Sequence, residues 1–270
     1  MNNYSPNMLK TFDECQQKFF FKYIEKLSVP QRFAIFEKGK KIHALANYYL
    51  RGENVEKMEK VLTADEKNAW DNLKSNKYFK LNVVNTEYNL SCRVGQYWVG
   101  GRLDALMREG ERENGKRGKE IGNCELGIEP FDRSTLRPFD PSPLHPFTLS
   151  ANFVILDYKT GNIPKDAEKE FQTIVYLLCA DKFLQQKGGY GSLKFVYIGL
   201  KPLTPNSSSA RGEGSSQHTE KEILFNEDLK KQYEEKILST CGKIDFAVNS
   251  NVFSKNIERC KTCEYCKLCK

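Results

Sequence analysis

The stretch that decides the fold reads Ile155-Leu156-Asp157-Tyr158-Lys159-Thr160-Gly161. It ends an apolar segment, residues 152–160, whose aliphatic and aromatic side chains predict a central β-strand. Because side chains alternate between the two faces of a strand, Asp157 and Lys159 should point the same way, about 6.6 Å apart. Burying this charged pair at the end of an apolar strand costs desolvation free energy. The pattern indicates either a salt-bridged strand end or a pair of chemically active side chains.

A second acidic candidate lies in the sequence Gly100-Gly101-Arg102-Leu103-Asp104-Ala105, on the preceding predicted strand. Two carboxylates and a lysine at strand ends can hold a divalent cation and position a water molecule. Oxygen ligands suit Mg²⁺ or Mn²⁺, and a histidine ligand from an earlier helix, His43, would favour Mn²⁺. Taken singly, Asp104 is also compatible with a turn residue, and His43 with a partly buried structural histidine.

Sequence periodicity extends the α/β pattern to the rest of the chain. Ser5-Pro6 is a typical N-cap and first helical position, and Pro30 ends the helical run that follows. Apolar spacing predicts helices over residues 6–27, 33–50, 64–79, 166–187 and 227–248. Alternation and β-branched residues predict strands over residues 82–94, 96–107, 152–160, 193–200 and 221–225, the first two joined as a hairpin near Gly95.

Two stretches interrupt this pattern. Residues 109–150 contain five of the ten prolines, and we expect a surface insertion that is largely disordered. Residues 205–219, rich in serine and glycine, are expected to form a second flexible loop. Because strands on both sides of each stretch are predicted to share one sheet, residues 1–270 are interpreted as a single domain.

The composition narrows the class of protein. Of 270 residues, 39% are hydrophobic and 29% charged, which is typical of a globular chain rather than a disordered one. The net charge of +7 favours polyanionic partners. No apolar stretch approaches the roughly 20 residues of a membrane span, and residues 1–10 lack a signal-peptide pattern. We therefore expect a cytoplasmic protein without membrane contacts, in a reducing compartment where clustered cysteines indicate metal binding.

The motifs follow one another in an informative order: a helix with Gly-x-x-x-His, a strand with Gly-Arg-x-Asp, a strand with Asp-Tyr-Lys-Thr-Gly, and a helix with Gln172 and Tyr176. This succession resembles the PD-(D/E)XK nuclease superfamily, specifically its RecB-like branch. The resemblance implies an α/β, restriction-endonuclease-like core in which helices flank a mixed central β-sheet. It also implies residue roles: catalytic Asp104, Asp157 and Lys159; metal ligands His43, Asp104 and Asp157; substrate-binding Gln172 and Tyr176. The long stretch between the two acids departs from the family pattern, in which a short connection joins these strands.

The C-terminal segment places Cys260, Cys263, Cys266 and Cys269 at every third position. In a reducing compartment this density indicates thiolate metal ligation, and four such cysteines can in principle bind Zn²⁺. The resemblance implies a different cofactor, because many RecB-like nucleases, including AddB-type and CRISPR adaptation nucleases, hold a [4Fe–4S] cluster. Its implied ligands are one early and three late cysteines: Cys15, Cys260, Cys263 and Cys269. The cluster would staple the N-terminal helical region to the C-terminal tail, with Cys266 supernumerary or a substitute ligand.

Basic and aromatic residues alternate on the first two predicted helices, as suits a groove for single-stranded nucleic acid. They are Lys10, Lys18, Lys22, Lys38, Lys40 and Lys41, with Phe19, Phe20, Phe21 and Tyr23. The ordinary alternative is that the aromatic residues belong to the core and the lysines to a solvated face. No Walker-type motif is present in the sequence, so any unwinding of duplex DNA would need a partner.

The sequence therefore leads to one functional hypothesis with two alternatives. We expect a Mg²⁺- or Mn²⁺-dependent deoxyribonuclease that acts as a single-stranded DNA exonuclease in DNA repair or recombination. Its expected partners are DNA with free ends and a helicase. The first alternative is a CRISPR adaptation nuclease with a CRISPR-associated partner. The second is a non-catalytic iron–sulfur scaffold that binds DNA.

Overall fold

The computed structural model describes residues 3–29, 33–111, 151–200 and 220–269. Most of the predicted insertion and all of the predicted second loop lie outside these described residues. The helices are α1 (Pro6–Glu14), α2 (Gln16–Phe19), α3 (Phe33–Leu50), α4 (Glu56–Glu59), α5 (Ala64–Ser75), α6 (Phe171–Gln186) and α7 (Glu227–Ser250). The strands are β1 (Asn3–Tyr4), β2 (Leu81–Val94), β3 (Tyr97–Glu111), β4 (Asn152–Lys159), β5 (Ser192–Gly199) and β6 (Glu220–Leu224).

These strands form one six-stranded mixed sheet in the order β1-β3-β4-β5-β6, with β2 paired to β3. The pairs β1/β3 and β4/β5 are parallel and the others antiparallel. Strands β2 and β3 form the predicted hairpin, and Gly95 in its turn has a φ of 57°, a left-handed conformation that costs glycine little. The predicted fold class, an α/β core with a mixed central sheet flanked by helices, is confirmed.

Helices cover both faces of the sheet, and the described residues form two apolar cores. Along β4, Phe153 and Ile155 enter the core that contains residues of α1, α6 and α7. Val154 and Leu156 enter the core that contains residues of α3 and α5. Because both faces of β4 are buried, its apolar run is unbroken. Asp157 continues the face that looks toward α6.

The N-terminal helix is interrupted, which corrects the prediction of one continuous helix. Cys15 is extended, with φ −166° and ψ 112°, and separates α1 from α2. Its N–H still donates to the Thr11 carbonyl at 3.0 Å, so the last turn of α1 is closed. The chain then continues through α2 into a π-helical turn, Phe20–Ile24. The extended backbone at Cys15 changes the direction of its side chain relative to a helical residue. Cys15 lines a cavity that is also lined by residues of the C-terminal segment.

Other element boundaries also differ from the predictions, and the helix predicted over residues 64–79 ends at Ser75. Strand β3 runs to Glu111, so the first three residues of the predicted insertion, 109–111, belong to the sheet. The reason is that Glu109 pairs with Lys194 at 2.7 Å and accepts a hydrogen bond from Asn152 at 3.0 Å. Helix α6 begins after a short 3₁₀ turn rather than at residue 166. None of the helices in the described ranges is both long and apolar enough to cross a bilayer.

Candidate active site and metal centre

The predicted acidic residues lie where strands β3 and β4 separate. The paired stretch runs from Arg108 opposite Phe153 to Ala105 opposite Leu156. The next residues along this fork are Asp104 and Asp157. The Asp104 Oδ2 atom accepts a hydrogen bond from the Tyr158 N–H at 2.9 Å, so a carboxylate takes the place of strand pairing. The fork therefore brings together two acids that are 53 residues apart in the sequence.

His43 reaches the fork from α3. Its Nδ1 atom lies 3.2 Å from Asp104 Oδ1, and its Nε2 atom lies 3.0 Å from the Tyr158 carbonyl oxygen. One turn earlier, a Cβ at Gly39 would lie 3.2 Å from the Thr160 hydroxyl, so glycine permits the close approach of α3 to the end of β4. Both ring nitrogens thus face acceptor oxygens, whereas a neutral imidazole has only one N–H.

The surroundings of His43 favour a positive charge on the ring. Burial lowers the pKa of His43, but the hydrogen bond and negative charge of Asp104, with the charge of Asp157, outweigh burial and raise the pKa overall. Protonation of His43 gives both ring nitrogens a hydrogen to donate to the oxygens that they face. A divalent cation between the ring and the carboxylate would supply the same positive charge.

Asp157, Lys159 and Gln172 form a closed triangle of polar contacts. The Lys159 Nζ atom lies 2.8 Å from Asp157 Oδ2 and donates to Gln172 Oε1 at 2.7 Å. The Gln172 amide donates in turn to Asp157 Oδ1. The predicted placement of the aspartate and lysine on one face of β4 is therefore what the structure shows, and α6 supplies the group that holds both.

Burial dominates the electrostatics of Asp157, whose exposed fraction is 2%. Desolvation and the nearby charge of Asp104 raise the pKa of Asp157 from 3.8 to about 6, although Lys159 lowers it in part. Two carboxylates at one fork repel each other until a cation or a proton neutralises one of them. A strongly perturbed acid with a lysine partner is typical of a reactive site.

Tyr176 lies one turn after Gln172 on α6 and contacts strand β3, whereas Gln172 contacts residues of β4. Its hydroxyl donates to the Arg102 carbonyl at 2.6 Å. A Cβ at Gly101 would lie 2.9 Å from Tyr176 Cε1, so the glycine leaves room for the ring. Both residues predicted to bind substrate, Gln172 and Tyr176, are thus engaged by protein groups that shape the site.

Glu87 is the site residue that sequence reasoning missed. His43, Glu87 and Asp104 each offer a ligand atom, and these atoms all lie within 4.8 Å of one another. Among the described residues this is the one group of three or more histidine, cysteine or acidic side chains so arranged, and it does not include Asp157. Asp157, the third residue of the predicted metal set, lies outside this group and contacts Lys159 at 2.8 Å.

The hairpin register was the signal that could have identified Glu87. The turn occupies residues 95–96, so that Val94 pairs with Tyr97. Counting back along both strands from this pair places Glu87 directly across from Asp104. The sequence predicted the hairpin but not its register, and a shift of one residue would have moved Glu87 to the other face.

Comparison with known proteins adds to this geometry. A family model described as the PD-(D/E)XK nuclease superfamily matches residues 3–270. The chain belongs to this superfamily. The crystal structure of a candidate exonuclease from Eubacterium rectale is similar in fold, with a TM-score of 0.52 and 8% sequence identity over 99% of this chain and 88% of the other. No curated protein matches the chain in sequence.

Membership of the PD-(D/E)XK superfamily makes the protein a nuclease, and nucleases of this superfamily use divalent cations. The residues at the fork fit such an ion. They offer carboxylate oxygens and one imidazole nitrogen, which are the donors that Mg²⁺ and Mn²⁺ take. His43 and Asp104 already face each other, and a cation would relieve the repulsion between Asp104 and Asp157.

The cysteines of this PD-(D/E)XK protein are distributed unevenly. The four implied cluster ligands, Cys15, Cys260, Cys263 and Cys269, line one cavity of about 80 Å³. Burial raises the pKa of the Cys269 thiol, and electrostatic interaction with Cys260, Cys15 and Cys263 raises it further. Cys266 is exposed and does not line the cavity. Cys124 lies outside the described residues.

The N-terminal and C-terminal segments meet around this cavity through protein contacts. The Gln17 N–H donates to the Ser254 carbonyl at 3.0 Å, and Asn256 donates to the Glu14 carbonyl at 2.9 Å. Arg259 pairs with the Glu14 carboxylate at 2.9 Å. The two ends of the chain are therefore joined even without a cofactor.

The aromatic residues of the first helices serve this same junction. Phe20 packs against Phe253 with ring centres 4.8 Å apart, and Phe21 packs against Tyr265 at 5.8 Å. Phe19 is buried in the core. Three of the lysines form ion pairs with acidic residues: Lys10 with Glu170, Lys18 with Glu264 and Lys41 with Glu66. The side chain of Lys38 lies outside the described part of the chain. Packing thus accounts for Phe19, Phe20 and Phe21, although of these three rings only Phe19 belongs to the core.

Proposed function

We propose that this protein is a Mg²⁺- or Mn²⁺-dependent deoxyribonuclease of the RecB-like type, which degrades single-stranded DNA from free ends. The observation that supports it best is the fork between β3 and β4, where two acids, one histidine and one lysine meet. Oxygen and nitrogen donors beside a partly buried ammonium group suit the hydrolysis of a phosphodiester bond. A role in DNA repair or recombination would follow from that substrate.

Each side chain has a role in this proposal. His43, Asp104 and Asp157 would hold the cation, which lowers the pKa of a bound water and polarises a phosphoryl oxygen. Lys159, fixed between Asp157 and Gln172, would orient the attacking water and stabilise charge on the phosphate. Gln172 accepts a hydrogen bond from Lys159 and so helps to hold its amine beside Asp157. The imidazole donor favours Mn²⁺ over Mg²⁺.

We also propose a [4Fe–4S] cluster on Cys15, Cys260, Cys263 and Cys269, and the sulfur spacing supports a cluster over zinc. A tetrahedral Zn²⁺ with bonds of about 2.3 Å requires sulfur atoms about 3.8 Å apart. In the described residues no three cysteine sulfurs lie within 4.8 Å of one another, yet all four line one cavity. A larger inorganic group suits that arrangement, and its role would be structural.

Degradation of end-labelled single-stranded oligonucleotides with Mg²⁺, Mn²⁺ or EDTA tests the nuclease. Asp157→Ala and Lys159→Ala should abolish metal-dependent cleavage while the fold is kept. Lys194→Ala is the matched control, because Lys194 lies at the far end of neighbouring β5 and pairs with Glu109. Undiminished cleavage by either active-site variant would refute the assignment.

The same assay separates the alternatives. Circular single-stranded DNA should resist an exonuclease, so its cleavage would contradict the proposed dependence on ends. DNA binding without metal-dependent cleavage would favour the non-catalytic scaffold. Copurification with a helicase, or with a CRISPR-associated protein, would distinguish a repair nuclease from an adaptation nuclease with the same chemistry.

A further inference from the structure

The active site contains a carboxylate for which the D-x-K and Gly-Arg-x-Asp motifs do not account. The carboxylate of Glu87 has an oxygen within 4.8 Å of ligand atoms of His43 and Asp104. It comes from β2, whereas the two motif acids come from β3 and β4. A third strand therefore contributes to the same side of the fork.

Strand register holds Glu87 at this position. Its neighbours Thr86 and Tyr88 pair with Ala105 and Leu103 of β3, which places Glu87 across from Asp104. Residues directly opposite on antiparallel strands have closely spaced side chains, and two like charges there are unfavourable. A compensating positive charge would remove this penalty.

The backbone at Glu87 is also unusual. Its φ is 48°, in the left-handed region that a residue with a Cβ occupies at a cost of about 1 kcal/mol. Lys26 and Asn251 share this conformation among the described non-glycine residues, but both lie outside strands. Strained residues inside regular structure are found where side-chain direction matters.

Arg102 supplies one positive charge, but from the solvent side. Its Nε atom lies 2.8 Å from Glu87 Oε2, and the Arg102 side chain is 65% exposed whereas that of Glu87 is 23% exposed. An ion pair with so exposed a partner is weak. Arg102 thus holds the Glu87 carboxylate at the rim of the site. A cation can replace Arg102 on this carboxylate, or bind one carboxylate oxygen while Arg102 stays on the other.

We propose that Glu87 is a further ligand of the divalent cation bound by His43 and Asp104, an inference that rests on the proposed function. Glu87 neutralises the cation from the β2 side, while Asp157 and Lys159 act from the β4 side. Arg102 orients the Glu87 carboxylate and is not itself required for metal affinity.

Titration of the full chain with MnCl₂ by calorimetry tests this inference without measuring activity. Glu87→Gln should weaken Mn²⁺ binding about 10-fold or more, because even the loss of a residue that only hydrogen-bonds to a metal ligand typically costs at least that factor. Arg102→Gln should leave the affinity unchanged or increase it, because it removes a positive charge but keeps the carboxylate. Glu109→Gln, at the other end of β3, is the matched control and should bind as the unmodified protein does. Urea unfolding in EDTA verifies that each variant is folded.

The outcomes separate this inference from the proposed function. Wild-type affinity in Glu87→Gln, with binding lost in Asp104→Asn, would overturn the role of Glu87 and leave the nuclease intact. Equal weakening by Glu87→Gln and Arg102→Gln would also overturn it, because the carboxylate would then serve only the ion pair. No Mn²⁺ binding by the unmodified protein would refute both proposals.

Discussion

Replacing Asp157 with asparagine should stabilise the metal-free protein at neutral pH, although it abolishes the proposed catalysis. The asparagine keeps the shape of the side chain, and its one oxygen can still accept a hydrogen bond from Gln172 or from Lys159. It removes a negative charge that is almost fully buried beside Asp104. The ionised aspartate is tolerated in the fold because a cation is expected to bind it, so without a cation it is a cost to stability.

The magnitude follows from the pKa of Asp157. A rise from 3.8 to about 6 corresponds to about 3 kcal/mol of unfavourable free energy once the group is fully ionised. Because the folded-state pKa is raised, the stabilising contribution of the protonated group is complete below about pH 4 and is lost as the pH rises through about 6. The free energy of unfolding of Asp157→Asn should therefore exceed that of the unmodified protein by about 0.5 kcal/mol at pH 4 and by about 3 kcal/mol at pH 8.

Urea unfolding of both proteins in EDTA between pH 4 and pH 8 measures this difference. Asp181→Asn is the matched control, because Asp181 is also buried, at 1% exposure, but pairs with Lys230 at 3.1 Å and accepts from Tyr190. That variant should lose about 1–3 kcal/mol, since it weakens the contacts of Asp181 with Lys230 and Tyr190 and, unlike Asp157→Asn, relieves no repulsion from Asp104. A difference for Asp157→Asn that does not grow with pH, or a less stable variant at pH 8, would refute the electrostatic reasoning.

Three other predictions test the surrounding structure. Gly101→Ala places a Cβ 2.9 Å from the Tyr176 ring, so urea unfolding should show a loss of about 1–3 kcal/mol and oligonucleotide cleavage should fall. Gly242→Ala, whose Cβ would meet only the Tyr97 hydroxyl at 3.8 Å within α7, should instead gain about 0.5–1 kcal/mol, and a loss there would contradict the packing argument. Cys15→Ser should lose bound iron measured by metal analysis whereas Cys266→Ser should keep it, and equal iron contents would count against the proposed ligand set.

The sequence by itself determined the fold class and most of the chemistry at the fork. The alternation of side chains along a strand places Asp157 and Lys159 together whatever surrounds them. Helical spacing likewise places Gln172 and Tyr176 on one face of α6. These are local relations, fixed by backbone geometry over a few residues, and they survive the long stretch between the two acidic strands.

The tertiary structure alone decided which groups face one another. It pairs Asp104 with His43 and adds Glu87 to the metal group. These contacts depend on strand register and on where β3 and β4 separate, and a one-residue shift in register reverses every side chain of a strand. The extended residue in the N-terminal helix was equally hidden, because propensity favours a continuous helix there and packing against the C-terminal segment overrides it.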